Sequence, residues 1–361
     1  RGRLNQDGIL AFWLPGSLTY ISSELRDLNA CILNALRNTY EYIRIIPGDY
    51  NIFLASDSEG IMKVTPSLIS QRIIQENIDT SILVPNYLDY RLNKNSLEWF
   101  MQTASSATKK INRDLKPIAV FEMLILWNKK FSKSLYLFLK VLNNLDSGVV
   151  FLFIFLIMLL LSYVFYRTRD RFSTITYCIA TTGFFGMLTS LILVFSFQVF
   201  YGYLYRMIGI LISIFMAGIA LGSIYITANF EKIKSEFRLF IRLEALIIAF
   251  TFILALTITR FLSSGYCASL IFIVLFFISG LLMGLEFPLA SKIYLEVRKQ
   301  VGSTAGILYA ADLLGGWVAG ISGSIVLLPV LGFFNTCLVI VMFKLSSLLL
   351  LILYGAPKKR V

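Results

Sequence analysis

From about residue 148 onward the chain is a succession of apolar runs of roughly 18 to 28 residues, and this feature constrains the fold most. Because a helix rises about 1.5 Å per residue, such runs can cross the ~30 Å hydrocarbon core of a bilayer. A mean hydropathy of +0.75 also exceeds that of ordinary soluble domains. We predict an α-helical polytopic membrane bundle with seven spans, near residues 149–166, 174–198, 206–228, 241–262, 267–289, 303–330 and 335–355.

The first 147 residues have the alternating pattern of a globular α/β domain. A strand is predicted in Gly8–Pro15, followed by a helix with a cap residue in Ser22–Tyr40. Two further strands, Tyr40–Pro47 and Tyr50–Asp57, are joined by a Pro-Gly-Asp turn. A strand, a helix and a strand pair suit the last portion of an α/β sheet domain. A second helix is predicted within residues 65–79.

The net charge of +12 is distributed in a way that argues against a nucleic-acid partner. Residues 1–147 hold 17 Lys and Arg against 14 Asp and Glu, whereas residues 148–361 hold 16 against 7. The excess therefore lies between the membrane spans, where basic residues set topology.

Loops on one side of a seven-span bundle carry 13 basic residues, and the opposite loops carry only Arg206 and Arg260. By the positive-inside rule the rich side is cytoplasmic. A full first span then places the N-terminal domain outside, yet the basic segment WNKKFSKSLYLFLK before it favours the inside. Either the first apolar run is not a simple span or the N-terminal domain faces out. The basic residues counted are Arg167, Arg169, Arg171, Lys232, Lys234, Arg238, Arg242, Lys292, Arg298, Lys299, Lys358, Lys359 and Arg360.

The chain contains no histidine, which excludes Ser-His and Cys-His catalysis and any His-ligated metal. The four cysteines, Cys31, Cys178, Cys267 and Cys337, have no metal-ligand spacing and are interpreted as free, mostly buried thiols. No metal site is predicted.

Three polar residues in the apolar runs are candidates for function. Asp312 lies inside GILYAADLLGGWVAG, where it either faces a polar interior or makes a structural contact, for example with Tyr309. Glu286 is close to a predicted span end, where it could reach the interface or pair with Lys292. Gln198 is interpreted as an interfacial residue beside an aromatic belt, formed by Tyr201, Tyr203 and Tyr205.

Small residues in the apolar runs predict close helix packing. Two pairs have small-xxx-small spacing, Gly218 with Gly222 and Gly280 with Gly284. A third set surrounds Asp312 and comprises Gly315, Gly316, Gly320, Gly323, Ala311 and Ala319. Pro329 is expected to kink or end its helix, because proline cannot donate the helical hydrogen bond.

Polar residues of the N-terminal domain have a structural and a functional interpretation. Asn112 and Asp114, in INRDLKP, suit a helix cap, and they also suit the mouth of an active-site cleft. Asp49 suits the turn between two strands, and it could also reach a cationic substrate.

Several segments resemble the membrane-fused spermidine synthase homologues, in which an aminopropyltransferase-like domain precedes a polytopic region similar to half of a major-facilitator transporter. The resemblance covers most of the chain and rests on INRDLKPIAVFEMLILW, GLLMGLEFPLA and GILYAADLLGGWVAGISGSIVLLPVLGFFNT. It implies a Rossmann-like, methyltransferase-type domain that transfers an aminopropyl group from decarboxylated S-adenosylmethionine to a polyamine. Trp13 replaces a glutamine that soluble synthases carry at the end of the corresponding strand.

The resemblance also sets expectations for the organisation of the chain. Residues 1–130 would be the closing portion of the synthase-like domain, 131–148 a linker and 149–361 the membrane domain. The nucleotide loop and the catalytic acids would precede Arg1, so this chain would be an inactive C-terminal fragment. Its substrate-pocket candidates are Trp13, Asp49, Asn112 and Asp114.

The expected partners are the lipid bilayer and a polyamine or another small cation, in a bacterial cytoplasmic membrane. The alternative to a transferase is a transporter or sensor with a degenerate synthase domain, since transporters place ionisable residues on solute paths.

Overall fold

The computed structural model describes residues 4–168, 171–202, 205–233, 235–264, 269–298 and 301–354. The chain divides into two compact units. The N-terminal unit comprises Arg1–Arg113 and Pro117–Val141, and the membrane unit comprises Asp114–Lys116 and Leu142–Val361. The division after residue 141 falls inside the segment predicted as a linker.

The N-terminal unit contains a three-stranded sheet of β1 (Leu10–Pro15), β2 (Tyr42–Ile46) and β3 (Tyr50–Ser56). β3 lies in the middle and pairs antiparallel with both neighbours. Helix α1 (Ser23–Arg37) connects β1 to β2, and the Ser22 hydroxyl caps it by accepting the Leu25 N–H at 3.4 Å. The predicted order of strand, helix and strand pair is confirmed.

A small aromatic core holds helices against this sheet. Phe12 on β1 and Phe53 on β3 stack with ring centroids 5.4 Å apart, and Phe100 meets Phe53 edge-on at 6.2 Å. Phe53 and Phe100 are fully buried, and burial of each side chain contributes roughly 1.5–3 kcal/mol. The remaining helices of this region are α2 (Pro66–Gln75), α3 (Pro85–Arg91), α4 (Lys94–Ser105), α5 (Ile118–Phe131) and α6 (Lys133–Asn144).

Glu24 on α1 ties α5 and α6 to the first helix. Its buried carboxylate receives the Lys129 ammonium at 2.7 Å and the Tyr136 hydroxyl at 2.7 Å, and Lys140 approaches at 3.4 Å. Burial alone would raise the pKa of Glu24, but hydrogen bonds led by those from Lys129 and Tyr136 outweigh burial and lower that pKa. The hydrogen bond to Glu24 in turn raises the pKa of Lys129.

Seven helices in the described residues are long and apolar enough to cross a membrane, which confirms the predicted number and indicates an integral membrane protein. The sixth continues into a π-helical segment, Gly323–Leu331. The seven helices are α7 (Ser147–Thr168), α8 (Arg171–Tyr201), α9 (Tyr205–Ala228), α10 (Glu236–Ser264), α11 (Ser269–Arg298), α12 (Val301–Ser322) and α13 (Phe333–Tyr354).

The two small-xxx-small pairs pack against each other and join α9 to α11. A Cβ atom added at Gly218 would lie 2.4 Å from the Phe277 carbonyl oxygen, and one at Gly280 would lie 2.1 Å from the Phe215 carbonyl oxygen. Gly222 and Gly284 are equally close to the opposite backbone. The predicted close packing of these glycines is confirmed, because only a missing side chain permits this approach.

Helix α12 packs on α8 through the glycines around Asp312. A Cβ atom at Gly315 would lie 1.8 Å from the Ala180 carbonyl oxygen, and one at Gly183 would lie 2.0 Å from the Asp312 carbonyl oxygen. The same surface continues through Gly320 and Gly323. This packing confirms the role predicted for the glycine-rich segment.

The helix that contains Pro329 ends two residues later, as predicted. Gly332 follows with a φ of 82°, a left-handed conformation that suits glycine. α13 then starts at Phe333, whose N–H donates to the Leu115 carbonyl at 2.9 Å. Several residues used for the sequence predictions lie outside the described ranges, namely Arg169, Tyr203, Lys234, Cys267, Lys299, Lys358, Lys359 and Arg360.

Candidate functional site

Four spanning helices each direct one polar side chain into a common buried cluster in the membrane unit. Thr182 comes from α8, Glu244 from α10, Glu286 from α11 and Lys344 from α13. The three charged side chains are fully inaccessible, and Thr182 is 1% exposed. Charged residues are rare at such positions because their desolvation is costly.

Lys344 is the centre of this cluster. Its Nζ atom lies 3.3 Å from Glu244 Oε2, 3.1 Å from Glu286 Oε2 and 2.8 Å from Thr182 Oγ1. The ammonium donates hydrogen bonds to Thr182 Oγ1 and Glu286 Oε2, and Glu244 Oε2 lies within ion-pair distance of it. The ammonium is therefore fixed between the two carboxylates.

Hydroxyl groups orient the two carboxylates. The Ser347 hydroxyl lies 2.9 Å from Glu244 Oε2, and the Thr182 hydroxyl donates to Glu286 Oε2. Ser347 is one turn from Lys344 on α13, so a single helix face supplies both the cation and a donor. Hydroxyl groups of α8 and α13 thus hold the two carboxylates in place.

The cluster carries more negative than positive charge. Two carboxylates face one ammonium, and no other charged group makes an ion pair with them among the described residues. Glu244 Oε1 and Glu286 Oε1 are buried and receive no hydrogen bond from the described residues. A buried carboxylate oxygen without a partner is costly, so the site favours one additional positive charge.

Asp312, predicted from its position in an apolar run, lies at the edge of this cluster. It is half-buried, and its Oδ1 atom would be 2.8 Å from a Cβ atom on Gly183, the neighbour of Thr182. Lys344 and Glu286 are the charged groups that act on it electrostatically. Tyr309 is 59% exposed, and no hydrogen bond joins it to Asp312 in the described part of the chain.

The predicted surroundings of Glu286 were wrong. Glu286 is buried against Lys344, whereas Lys292 pairs with Glu236 at 2.9 Å and donates to the Phe230 carbonyl at 2.6 Å. The physical reason is helix geometry. α11 continues through Pro288 to Arg298, and six residues at ~100° each place Lys292 on a different face.

The sequence analysis missed Lys344 and Glu244, which complete the cluster. A usable signal existed, because Lys344 is the only charged residue in the apolar run 333–354. Glu244 similarly interrupts the apolar run that follows Arg242. Like Asp312, each is a single charge in a spanning segment and thus a candidate functional residue.

Gln198 lies near the end of α8 and is exposed, in a position that suits an interfacial side chain. Nearby Tyr201 packs on Phe197 with ring centroids 4.6 Å apart, and Phe272 of α11 completes the aromatic group. These rings are at the end of the helix where an aromatic belt was predicted.

Trp13 and Asp49 line one cavity of about 480 Å³ in the N-terminal unit, together with Tyr50, Ile52, Tyr87 and Arg91. The sheet brings them together, because Trp13 is paired with Ile52 across β1 and β3 and Asp49 directly precedes β3. Arg91, which also lines the cavity, donates a hydrogen bond to the Pro47 carbonyl at 2.7 Å. An aromatic wall and a carboxylate can hold the amine end of a substrate.

Asn112 and Asp114 have other surroundings. The Asn112 side chain accepts a hydrogen bond from the Ala119 N–H, in the first turn of α5, at 3.1 Å. Asn112 therefore caps this helix, as predicted, although it lies seven residues before Ala119 in the sequence. Its backbone N–H donates to the Cys31 carbonyl. Asp114 is exposed, in the Asp114–Lys116 segment that belongs to the membrane unit.

Comparisons with protein-family models, with curated proteins and with solved structures found no match to this chain. Function therefore has to be inferred from the side-chain geometry.

Proposed function

We propose that the membrane unit is a transporter-like bundle that binds and releases a proton at the Glu244–Lys344–Glu286 cluster. The observation that carries this proposal is a fully buried site with two carboxylates and one ammonium, in which one oxygen of each carboxylate receives no hydrogen bond from the described part of the chain. Ionisable residues at such depth are a feature of proton relays and transporters.

A proton suits this site better than a metal ion. The Lys344 ammonium already occupies the position between the carboxylates, and it would repel a second cation there. Each oxygen without a partner belongs to a different carboxylate, so either one can take a proton singly. One proton makes the Glu244–Lys344–Glu286 group neutral.

Asp312 gives this site a connection toward its surroundings. Asp312 is less buried than Glu244 and Glu286, and it contacts Gly183, the residue next to Thr182. A proton that leaves the Glu286 carboxylate could thus be received by a second carboxylate on a neighbouring helix. We assign Asp312 the role of proton exchange between the cluster and the less buried part of the bundle.

The test uses the full chain in proteoliposomes that contain a pH-sensitive dye. A potassium gradient with valinomycin drives protons inward, with Na⁺ or spermidine supplied outside in separate arms. We expect acidification above that of empty liposomes in at least one arm, and its loss in Glu286→Gln. The conservative variant Leu345→Met, at an exposed position that follows Lys344 in the sequence, is the matched control and should keep the flux. Equal traces from empty, wild-type and Glu286→Gln liposomes in every arm would refute the proposal.

A second candidate follows from the N-terminal unit. We propose that it is the closing part of a spermidine synthase-like domain, in a protein of a bacterial cytoplasmic membrane. Two observations favour this: a strand, a helix and an antiparallel strand pair follow one another in the order predicted for the end of such a domain, and Trp13 and Asp49 share one cavity.

The residues present fit only part of decarboxylated S-adenosylmethionine. Asp49 could pair with an amine, and Trp13 could cover the aliphatic chain. When bound, this cofactor would supply the aminopropyl group. Calorimetry with decarboxylated S-adenosylmethionine and methylthioadenosine tests the idea, on the protein with any upstream segment that its gene encodes. Binding that weakens in Asp49→Asn would support it, and a folded protein that binds neither compound would contradict it.

A further inference from the structure

We propose that α5 and α6 form a docking surface for anionic lipid headgroups, independent of the proton site. The surface consists of exposed apolar side chains flanked by lysines, and its members are Trp127, Lys130, Phe131, Lys133, Leu137, Phe138 and Val141. The occupant we infer is the lipid bilayer itself.

The apolar part of the surface is exposed and is not covered by the described residues of the N-terminal unit. Trp127 is 52% exposed and Phe131 77%, and their rings stack with centroids 6.2 Å apart. On α6, Phe138 is 56% exposed and Val141 61%. On each helix these positions are separated by three or four residues, so they form a continuous face. Water-exposed aromatic and aliphatic groups of this extent mark an interaction site.

Contacts made by the buried face of α6 determine which of its side chains are exposed. Leu139 is fully buried, and Tyr136 and Lys140 are held by Glu24 of α1. These contacts fix the rotation of α6 about its axis. Leu137, Phe138 and Val141 are thereby directed away from the core of the unit.

The charge of this region complements an anionic membrane surface. Residues 123–145 contain four lysines, Lys129, Lys130, Lys133 and Lys140, and no Asp or Glu. Glu24 engages Lys129 and Lys140, which leaves Lys130 and Lys133 to meet headgroups. The Lys130 ammonium lies 5.8 Å from the centre of the Trp127 ring, so a cation and an interfacial aromatic ring are side by side. Trp is enriched at the membrane interface, and surface lysines favour anionic lipids.

Sequence continuity favours a bilayer over another partner. α6 ends at Asn144 and the first spanning helix begins at Ser147, so only two residues separate the two helices. The end of α6 is consequently held near the membrane boundary. An amphipathic helix with lysines beside its apolar face lies in the plane of such a boundary.

The experiment measures the depth of Trp127 in the full chain. Trp13, Trp99 and Trp317 are replaced by Phe, and the protein is placed in nanodiscs that contain brominated lipids. Discs of phosphatidylcholine alone are compared with discs that also contain phosphatidylglycerol. We expect Trp127 fluorescence to be quenched more strongly in the anionic discs, and we expect high salt to remove the difference.

Charge variants provide the matched controls. Lys130→Glu with Lys133→Glu should abolish the excess quenching, whereas Arg72→Glu with Lys94→Glu changes the net charge equally on exposed positions of α2 and α4 and should retain it. Absence of quenching in both disc types would overturn the proposal, as would equal quenching in both. Protection of Trp127 by a second copy of the chain, seen as dimers in otherwise unquenched discs, would also overturn it.

Discussion

Lys344 and Glu286 form an ion pair with 3.1 Å between Nζ and Oε2, and neither side chain is accessible. Because Glu244 lies 3.3 Å from the same ammonium, Lys344 serves two carboxylates. The three members are therefore not equivalent: removal of one glutamate leaves a balanced pair, whereas removal of the lysine leaves both carboxyl groups without a counter-ion in an apolar interior.

Because of this asymmetry, we expect a lysine variant and a glutamate variant of the cluster to differ in stability. We expect Lys344→Met to lower the free energy of unfolding by about 3–5 kcal/mol, because it removes the counter-ion of the buried carboxyl groups. Glu286→Gln should lower the free energy of unfolding far less, since the Glu244–Lys344 ion pair remains. Thermal unfolding of the full chain in detergent measures both, and a Glu286→Gln variant less stable than Lys344→Met would contradict the charge balance.

The glycine contact between α9 and α11 can be tested with one added methyl group. In Gly280→Ala the new Cβ would lie 2.1 Å from the Phe215 carbonyl oxygen, so the helices must separate. We expect Gly280→Ala to lower the free energy of unfolding by about 1–3 kcal/mol, as at other overpacked sites. The measurement is the midpoint of thermal unfolding of the full chain.

Gly209 provides the control for this change. It lies on α9 with nothing within 4 Å of an added Cβ atom. Gly209→Ala should leave the midpoint unchanged or raise it, because alanine is the better helix former by up to ~1 kcal/mol. Equal losses at both positions would show that the glycines do not act through helix contact.

The N-terminal unit should weaken in acid because of Glu24. Its pKa is lowered in the folded chain, so its contribution to stability is complete above the unfolded value of about 4.3 and is lost as pH falls below that value. The contribution is about 1–2 kcal/mol after allowance for solvent around the two partly exposed lysines.

We expect Glu24→Gln to be less stable than wild type at pH 7, and the difference to shrink between pH 5 and pH 3. A difference that is constant with pH would contradict this role. Hydrogen exchange of α1, referenced to unstructured peptides at each pH, reports on this region.

Local pattern was sufficient for much of this fold. Runs of apolar residues predicted seven spans, because spanning length is set by bilayer thickness alone. The spacing of Gly218 and Gly222, and of Gly280 and Gly284, predicted close packing, since only the absence of a side chain permits backbone contact. In the N-terminal unit, the cap at Ser22 and the Pro-Gly-Asp turn marked where elements begin and end.

The candidate site was only partly predictable, because its charges come from helices far apart in sequence. Asp312 was found from a single charge in an apolar run, but the partner of Glu286 lies 58 residues further along the chain. Spacing along the sequence predicted Lys292, which is near Glu286 in the chain, as that partner. Which helix faces which is decided by packing of whole surfaces, so spacing within one helix could not identify Lys344.

The most direct test of the central proposal is whether the cluster holds one proton at neutral pH. Infrared spectroscopy of the full chain in nanodiscs detects the carbonyl stretch of a protonated carboxylic acid and its shift in deuterium oxide. We expect one such band in wild type and in Asp312→Asn. We expect its loss in Glu286→Gln and equally in Glu244→Gln, because either change balances the charge on Lys344. A wild-type spectrum without the band, or a band that persists in both glutamine variants, would contradict proton binding at this site.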